Sequence, residues 1–218
     1  MTGFKTYSEQ IAQHIKNALL SGELAPGQKI NEVSLASKLG ISRAPVREGL
    51  QRMVSDGLVI SIPQRGKFVR SLTQQEIREN YELGGVLEGA VVANSSFLLT
   101  DADFSRLEAI LLEMQSITPC DTYASEYERL DRLFHELLTT RQHNQASYDL
   151  GRKACQRISK FLLFRHWPYA FTQKEFVERH KEVLDAVKTH DRWHIETIIR
   201  KHYCDLGERM AIYGNAEQ

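Results

Sequence analysis

The sequence lacks the long apolar stretches that membrane segments need. Its longest apolar runs, such as Phe97–Leu99 and Phe161–Phe164, contain three or four residues, whereas a transmembrane helix needs about 20. Residues 1–10 have no apolar core of the kind found in secretory signals. These absences predict a protein with no membrane partner and a cytoplasmic location.

Cysteine is also scarce, with three residues in the whole chain. Cys120, Cys155 and Cys204 are widely spaced and form no CxxC pair. An odd and dispersed set argues against a disulfide framework and favours a cytosolic protein with reduced thiols.

Net charge is absent, because 28 basic residues balance 28 acidic ones. Taken alone, this argues against nucleic-acid binding, which usually has a basic footprint. However, residues 1–70 contain 10 basic and 5 acidic side chains, net +5, and residues 71–218 contain 18 and 23, net −5. The first segment is therefore expected to meet an anionic partner.

The first segment contains three helix signals followed by a hairpin signal. This order is typical of a winged helix-turn-helix, which we predict for residues 1–72. The predicted elements are a helix opening at the Thr6/Glu9 capping box, helices from Asn31 or Glu32 to Leu39 and from Ser42 to about Ser55, and strands Leu58–Ile62 and Lys67–Val69.

The pattern changes near Ser71, after which only helices are indicated. We predict a mainly α protein whose residues 73–218 form an all-α antiparallel bundle, with Trp193 as a packing residue and Trp167-Pro168 as a helix stop. The predicted helices are Thr73 to about Phe97, Asp101–Gln115, Asp121–Thr139, Asn144–Arg165, Thr172–Lys188, and Asp191 to about Tyr213.

The third predicted helix carries a polar stripe. Arg43, Arg47 and Gln51 recur every four residues, away from the apolar positions Val46 and Leu50. Arginines near the start of a recognition helix reach base edges in the major groove, where bidentate contact to guanine is the commonest specific contact. The alternative is that this stripe is only a solvated polar face. The stripe agrees with the turn, the wing and the basic segment, and this agreement favours DNA binding.

Two further features suit a phosphate backbone. Ser42 lies at an exposed helix N-terminus, which favours anions. The hairpin tip Arg65-Gly66-Lys67 combines a glycine that permits close approach with two cations, as a DNA-binding wing requires.

The run Ser-Arg-Ala-Pro-Val-Arg-Glu at residues 42–48 resembles the N-terminal domain of GntR-family transcription regulators. In that family, positions matching Arg43 and Arg47 contact operator bases. The family usually has alanine where this chain has Gly49, a difference of about 1 kcal/mol in helix propensity that leaves the reading face untouched. The predicted DNA-binding residues are Ser42, Arg43, Ala44, Arg47, Gln51, Arg65, Gly66 and Lys67.

Four residues of the helical segment are candidate metal ligands. Asp131 and His135 are spaced i, i+4 on one apolar helix and can chelate one divalent ion. His180 and His202 lie on inward-pointing stripes of later helices. A lone histidine on a helix is more often a satisfied polar residue, so spacing alone leaves both interpretations open.

The run Asp131-Arg132-Leu133-Phe134-His135, with His180 and His202, resembles the ligand-binding domain of the FCD branch of GntR regulators. In that branch an all-helical bundle holds a metal with one aspartate and three histidines. The resemblance implies a divalent metal cofactor bound by Asp131, His135, His180 and His202. Zinc or nickel suits these ligands, although ligand type leaves several divalent ions open.

One position departs from this branch, which often has an arginine about three residues before a Leu-Glu pair to meet an effector carboxylate. Here the pair is Leu87-Glu88, and Gly84 occupies the corresponding position, followed by Gly85. Paired glycines indicate either close helix–helix approach or a larger pocket, and the departure weakens the inference of an organic acid as effector. The candidate pocket residues are Gly84, Asn144 and Arg157.

These observations predict a metabolite-responsive transcription regulator that binds double-stranded operator DNA as a homodimer. A palindromic operator follows from two-fold protein symmetry, and repression follows from the family resemblance. One alternative is a metal-dependent enzyme, but Thr139 stands where an HExxH motif starting at His135 needs its second histidine, so we predict no enzyme. The other alternative is a regulator whose metal is purely structural.

Overall fold

The computed structural model describes residues 6–117, 123–151, 162–163 and 166–215. They form helices and one two-stranded antiparallel sheet. The described residues group into two compact units, one formed by residues 6–72 together with Leu162 and one formed by the other residues from Thr73 onward. We retain 1–72 and 73–218 as the proposed domain limits. The elements are α1 Tyr7–Ser21, α2 Glu32–Leu39, α3 Arg43–Ser55, β1 Val59–Ile62, β2 Gly66–Val69, α4 Gln74–Ser95, α5 Asp101–Ser116, α6 Tyr123–Leu138, α7 (residues 145–151), α8 Trp167–Ala170, α9 Gln173–Lys188 and α10 Arg192–Ala211.

Local side-chain chemistry sets the helix ends in the first unit. Thr6 and Glu9 form the predicted capping box of α1. The Asn31 side chain accepts hydrogen bonds from the backbone at the start of α2. Gly22 and Gly40 end α1 and α2 in the left-handed conformation, with φ of 78° and 65°.

The core of this unit lies between α1 and α3. Val46, Leu50 and Met53 on α3 are fully buried, as their spacing predicts, and Ile11 and Ile15 on α1 are buried with them. The opposite face of α3 is therefore left at the surface.

The wing is a short antiparallel hairpin. Val59 pairs with Val69 and Ile62 with Gly66, and Gly66 has a φ of 104°, which favours glycine. The backbone N–H of Ile30 donates to the carbonyl of Lys67 at 2.9 Å. The segment before α2 is thereby tied to the second strand.

The fold class predicted from the sequence is confirmed in both units.

Gly49 lies where α1 and α3 approach most closely. A Cβ added at this position would lie 2.7 Å from both Cβ and Cγ2 of Ile11. Neither atom is the far end of a flexible side chain, so α1 itself would have to move.

We therefore expect Gly49→Ala to destabilise the protein, although alanine is the better helix former. Helix propensity favours alanine by about 1 kcal/mol, but overpacking a tight core costs about 1–3 kcal/mol. The expected net change is a loss of about 1 kcal/mol in the free energy of unfolding, measured by urea denaturation. Gln51→Ala, on the exposed face of α3, is the control and should stay within about 0.5 kcal/mol of the parent. A gain in stability for Gly49→Ala would contradict the tight contact.

In the second unit, α4 and α10 pack antiparallel and very closely. A Cβ at Gly207 would meet Tyr81, one at Gly85 would lie 3.0 Å from the Cα of Arg200, and one at Gly89 would lie 3.3 Å from the Cα of Glu196. The contacting positions rise in residue number along α4 and fall along α10, so the two helices are antiparallel. Close helix–helix approach therefore explains Gly85, as one of the two sequence interpretations proposed.

Some boundaries differ from the predictions. Helix α4 ends at Ser95, and a 3-10 turn follows at Ser96–Leu98. Trp167-Pro168 opens the short helix α8, because proline is tolerated in a first helical turn, and residues 164–165 just before it lie outside the described residues. Only part of the helix predicted over Asn144–Arg165 falls within the described residues.

The prediction that Trp193 is a packing residue is wrong. Its side chain lies near the start of α10 and is 79% exposed, because the buried stripe of this helix begins at Ile195. Throughout the described ranges, each helix is too short or too polar to cross a bilayer.

Candidate nucleic-acid interface and metal centre

The exposed face of α3 carries the predicted polar stripe. Arg43 and Arg47 are 55% and 60% exposed, and Ser42, Ala44 and Gln51 are exposed beside them. Ser42 occupies the N-cap position but makes no capping hydrogen bond. Its hydroxyl and the helix N-terminus can therefore meet a phosphate.

The wing supplies a second group of cations, of which Arg65 is exposed and Lys67 is half-buried. Arg65 and Gly66 lie at the exposed tip, and Lys67 follows on β2. The guanidinium of Arg65 lies 5.9 Å from the centre of the Phe68 ring and Nζ of Lys29 lies 6.0 Å from it. The structure thus places a positively charged wing in the same compact unit as the α3 stripe.

Sequence reasoning missed Glu32 as a member of this surface. Its carboxylate accepts a hydrogen bond from Nε of Arg47 at 3.0 Å and lies 3.5 Å from Nζ of Lys67. Nothing in the spacing of the sequence singles out this glutamate, because its partners lie 15 and 35 positions further along the chain.

The second unit brings together the four predicted metal ligands. Asp131 and His135 lie on α6, His180 on α9 and His202 on α10. One ligand atom from each residue lies within 4.8 Å of the others. His180 and His202 are buried, whereas Asp131 and His135 are half-buried.

The contact between His180 and Asp131 shows why this cluster suits a cation. Nδ1 of His180 donates to the carbonyl of Phe176 at 2.7 Å, which leaves Nε2 facing Oδ1 of Asp131 at 3.2 Å. Burial lowers the pKa of His180 and favours its neutral form. Burial opposes ionisation of Asp131, yet His180 and His135 hold its pKa below the usual value. Two lone pairs therefore face each other unless a proton or a metal ion lies between them.

Glu88 orients His135, one of the candidate ligands. Oε1 of Glu88 lies 2.5 Å from Nδ1 of His135, and Oε2 accepts a hydrogen bond from the Tyr203 hydroxyl at 2.8 Å. Nε2 of His135 lies 3.8 Å from Oδ1 of Asp131. Burial opposes protonation, but Glu88 and Asp131 raise the pKa of His135 to about 9. A carboxylate behind a histidine ligand is the usual arrangement at protein metal sites.

His202 completes the cluster with an imidazole that is kept neutral. Burial and the nearby positive charge of Arg179 lower its pKa well below the usual value. Nδ1 of His202 is buried and has no hydrogen-bond partner among the described residues, and the Arg179 guanidinium donates to the carbonyl oxygen of His202.

Three imidazoles and one carboxylate are ligands that zinc and nickel accept. The unpartnered Nδ1 of His202 and the approach of Nε2 of His180 to Oδ1 of Asp131 both favour a divalent ion at this place. The donor set therefore fits a metal.

The predicted effector residues have different surroundings. Gly84 is buried on α4, one turn before Glu88. Asn144 is exposed, and its side chain accepts a hydrogen bond from the backbone of Ser147 at 3.0 Å. Asn144 thus caps α7. Arg157 lies outside the described residues, and the assignment of all three to an effector pocket stays a prediction.

A winged helix with an exposed cationic stripe and a helical unit with a buried Asp/His cluster together define a class of bacterial DNA-binding regulators. Residues 7–69 match the family described as bacterial regulatory proteins, gntR family, and residues 79–204 match the FCD domain. The chain belongs to the GntR family of regulators and carries an FCD domain. Regulators of this kind bind operator DNA and, through the FCD domain, small-molecule effectors.

Several relatives cover most of the chain. The chain is 26% identical to the HTH-type transcriptional regulator YdhC of Bacillus subtilis (strain 168), over 90% of this chain and 88% of YdhC. It is 24% identical to the HTH-type transcriptional repressor RspR of Escherichia coli (strain K12), over 92% and 87%. It is 32% identical to the Nta operon transcriptional regulator of Aminobacter aminovorans, over 68% of each chain.

Solved structures share the fold. E. coli McbR/YncC has a TM-score of 0.68 at 22% identity, covering 92% of this chain and 94% of that one. A putative GntR regulator from Rhodococcus sp. RHA1 has a TM-score of 0.72 at 22% identity, covering 95% and 99%. The prediction of a regulator rather than an enzyme is confirmed, because the matched family and these curated relatives are transcriptional regulators.

Proposed function

We propose that this protein is a dimeric transcription repressor that binds a palindromic operator and senses a small metabolite at a metal-containing pocket. The metal is divalent, with zinc or nickel as the leading candidates, and its ligands are Asp131, His135, His180 and His202. The reading residues are Arg43, Arg47 and Gln51 on α3, supported by contacts to phosphate. The phosphate contacts come from Ser42, Ala44, Arg65, Gly66 and Lys67.

The convergence of four ligand atoms within 4.8 Å of one another, with Nε2 of His180 facing Oδ1 of Asp131 at 3.2 Å, carries the sensing part of this proposal. Because the Phe176 carbonyl engages Nδ1 of His180, a neutral His180 offers the lone pair of Nε2 to a metal ion, and Asp131 offers that of Oδ1. A bound divalent ion accepts both lone pairs, and it keeps further coordination positions for an effector oxygen when its shell is octahedral.

The dimer is supported by apolar side chains at the surface of the second unit. Leu83 and Val86, one helical turn apart on α4, are 48% and 45% exposed. Large exposed apolar residues mark interaction sites when they cluster. A two-fold dimer also presents two reading helices to two half-sites of a palindrome.

Repression is supported by the relative RspR, which is named as a repressor. Relief of repression requires an effector that binds two arrangements of the dimer with different affinity. An effector seated on the metal would bias the helices that supply its ligands, α6, α9 and α10. Those helices would in turn bias the separation of the two reading helices.

Footprinting and titration on the chain's own upstream DNA test the proposal. We expect protection of a two-fold symmetric site by the full chain, and we expect a truncated 1–72 to bind that site more weakly because it lacks the dimer contacts. Metal analysis of protein purified without added metal is expected to find about one divalent ion per chain. Equal affinity of the truncated and full chains would count against the dimer. Effector response retained after metal removal would leave a purely structural metal as the explanation.

A further inference from the structure

Glu32 lies between the arginines of the α3 stripe and the wing residue Lys67. Its Oε2 accepts a hydrogen bond from Nε of Arg47 at 3.0 Å and lies 4.0 Å from Nη2 of Arg43. Its Oε1 lies 3.5 Å from Nζ of Lys67. One carboxylate therefore connects the start of the reading helix α3 to the wing strand β2.

The position of this carboxylate is well defined. Glu32 is the first residue of α2, and Asn31 caps that helix directly before it. Its side chain is 23% exposed, and that of Lys67 is 13% exposed. Partial burial opposes its charge, but the Arg47 hydrogen bond and the Lys67 charge lower the pKa of Glu32, so it is ionised at neutral pH. An isolated surface ion pair contributes little, but a network of several charges in fixed geometry contributes more.

The geometry at Arg47 leaves its reading edge available. Glu32 accepts from Nε, on the side of the guanidinium, whereas a guanine is read by a pair of donors on the planar fork. The terminal Nη groups can therefore face a base while Nε stays on the carboxylate. Holding a long side chain in this orientation before DNA arrives reduces the entropy lost on binding.

We propose that Glu32 is a positioning residue for operator recognition, which orients Arg47 and Arg43 and keeps the wing residue Lys67 in register with them. This inference rests on the proposed reading role of the two arginines. The negative charge of Glu32 also repels phosphates that approach without engaging the guanidiniums. Glu32 thus favours specific over non-specific DNA.

The test compares Glu32→Gln with Glu48→Gln in the full chain. Both substitutions remove one negative charge from the DNA-binding unit, but Glu48 is exposed on α3, and among the described ion pairs only Glu32 joins the reading arginines. The probes are a duplex enriched from a random-sequence pool by the parent protein and a scrambled duplex of equal length and composition. Each affinity is measured over a series of salt concentrations.

Both variants are expected to bind the scrambled duplex a few-fold more tightly than the parent, because each loses one repulsive charge. Only Glu32→Gln is expected to lower the ratio of specific to scrambled affinity, by about tenfold, which is within the range that one oriented arginine contact contributes. Both affinities come from one preparation, so the ratio is unaffected by a fraction of unfolded protein.

An equal ratio in the two variants overturns the positioning role of Glu32. A parent protein that enriches no sequence at all overturns the proposed function instead, so the two failures are distinguishable. A lowered ratio in both variants assigns the effect to charge alone and also overturns the inference.

Discussion

Replacing both Arg43 and Arg47 with alanine is expected to abolish operator-specific binding. Each arginine that makes a bidentate contact to guanine contributes about 1–3 kcal/mol of discrimination. Together the two losses correspond to about 30-fold or more in the ratio of specific to non-specific affinity. Electrophoretic mobility shift or fluorescence anisotropy with specific and scrambled duplexes measures this ratio.

Arg52 offers a matched control on the same helix. It is 52% exposed and lies 3.5 Å from Glu9 of α1 rather than beside the wing. Arg52→Ala therefore removes one positive charge from α3 without touching the reading stripe. We expect a small, sequence-independent loss of affinity for Arg52→Ala and a loss of specificity for each of Arg43→Ala and Arg47→Ala. Specificity that survives in the double variant would show that other residues read the operator.

Removing a metal ligand is expected to have the second large effect, on thermal stability. A ligand at 1,000 times its dissociation constant stabilises the folded state by about 4 kcal/mol. For a unit of this size, that free energy corresponds to about 10 °C in melting temperature. We expect chelator to lower the melting temperature of the parent protein by this amount and zinc or nickel to restore it.

The variants His135→Ala and His202→Ala are expected to melt at the same temperature with and without metal. They should also be purified with less than a tenth of the metal of the parent. His143→Ala is the control, because His143 is exposed and lies outside the cluster, and it should keep both the metal and the full response. Unchanged melting and unchanged metal content in the His135 and His202 variants would refute the metal site.

The sequence predicted the helix starts well where the interactions that set them join residues close together in the chain. The capping box predicted at Thr6 forms its reciprocal hydrogen bonds, and such boxes also open the helices predicted from Thr73 and Thr172. These interactions join residues three positions apart, so spacing alone reveals them. The prediction at Trp193 failed for the opposite reason. Whether an aromatic ring is buried depends on contacts with residues that are distant in sequence.

The carboxylates that support the two sites were not predictable in the same way. Glu32 meets Arg47 across 15 positions, and Glu88 meets His135 across 47. Glutamate is common on helix surfaces, and no local periodicity separates a supporting carboxylate from a solvated one. Only the packing of helices that are distant in sequence selects these two.

The sequence by itself determined the order of elements, the exposed arginine stripe of α3 and the identity of four candidate metal ligands. These depend on helical periodicity, on capping and on motifs whose residues are close together or recognisable by type. The tertiary structure decided that Asp131, His135, His180 and His202 converge, that Nε2 of His180 faces Oδ1 of Asp131, and that Gly49 has no room for a methyl group. Each of these is a distance between separate helices, and such distances arise only when the apolar faces pack together.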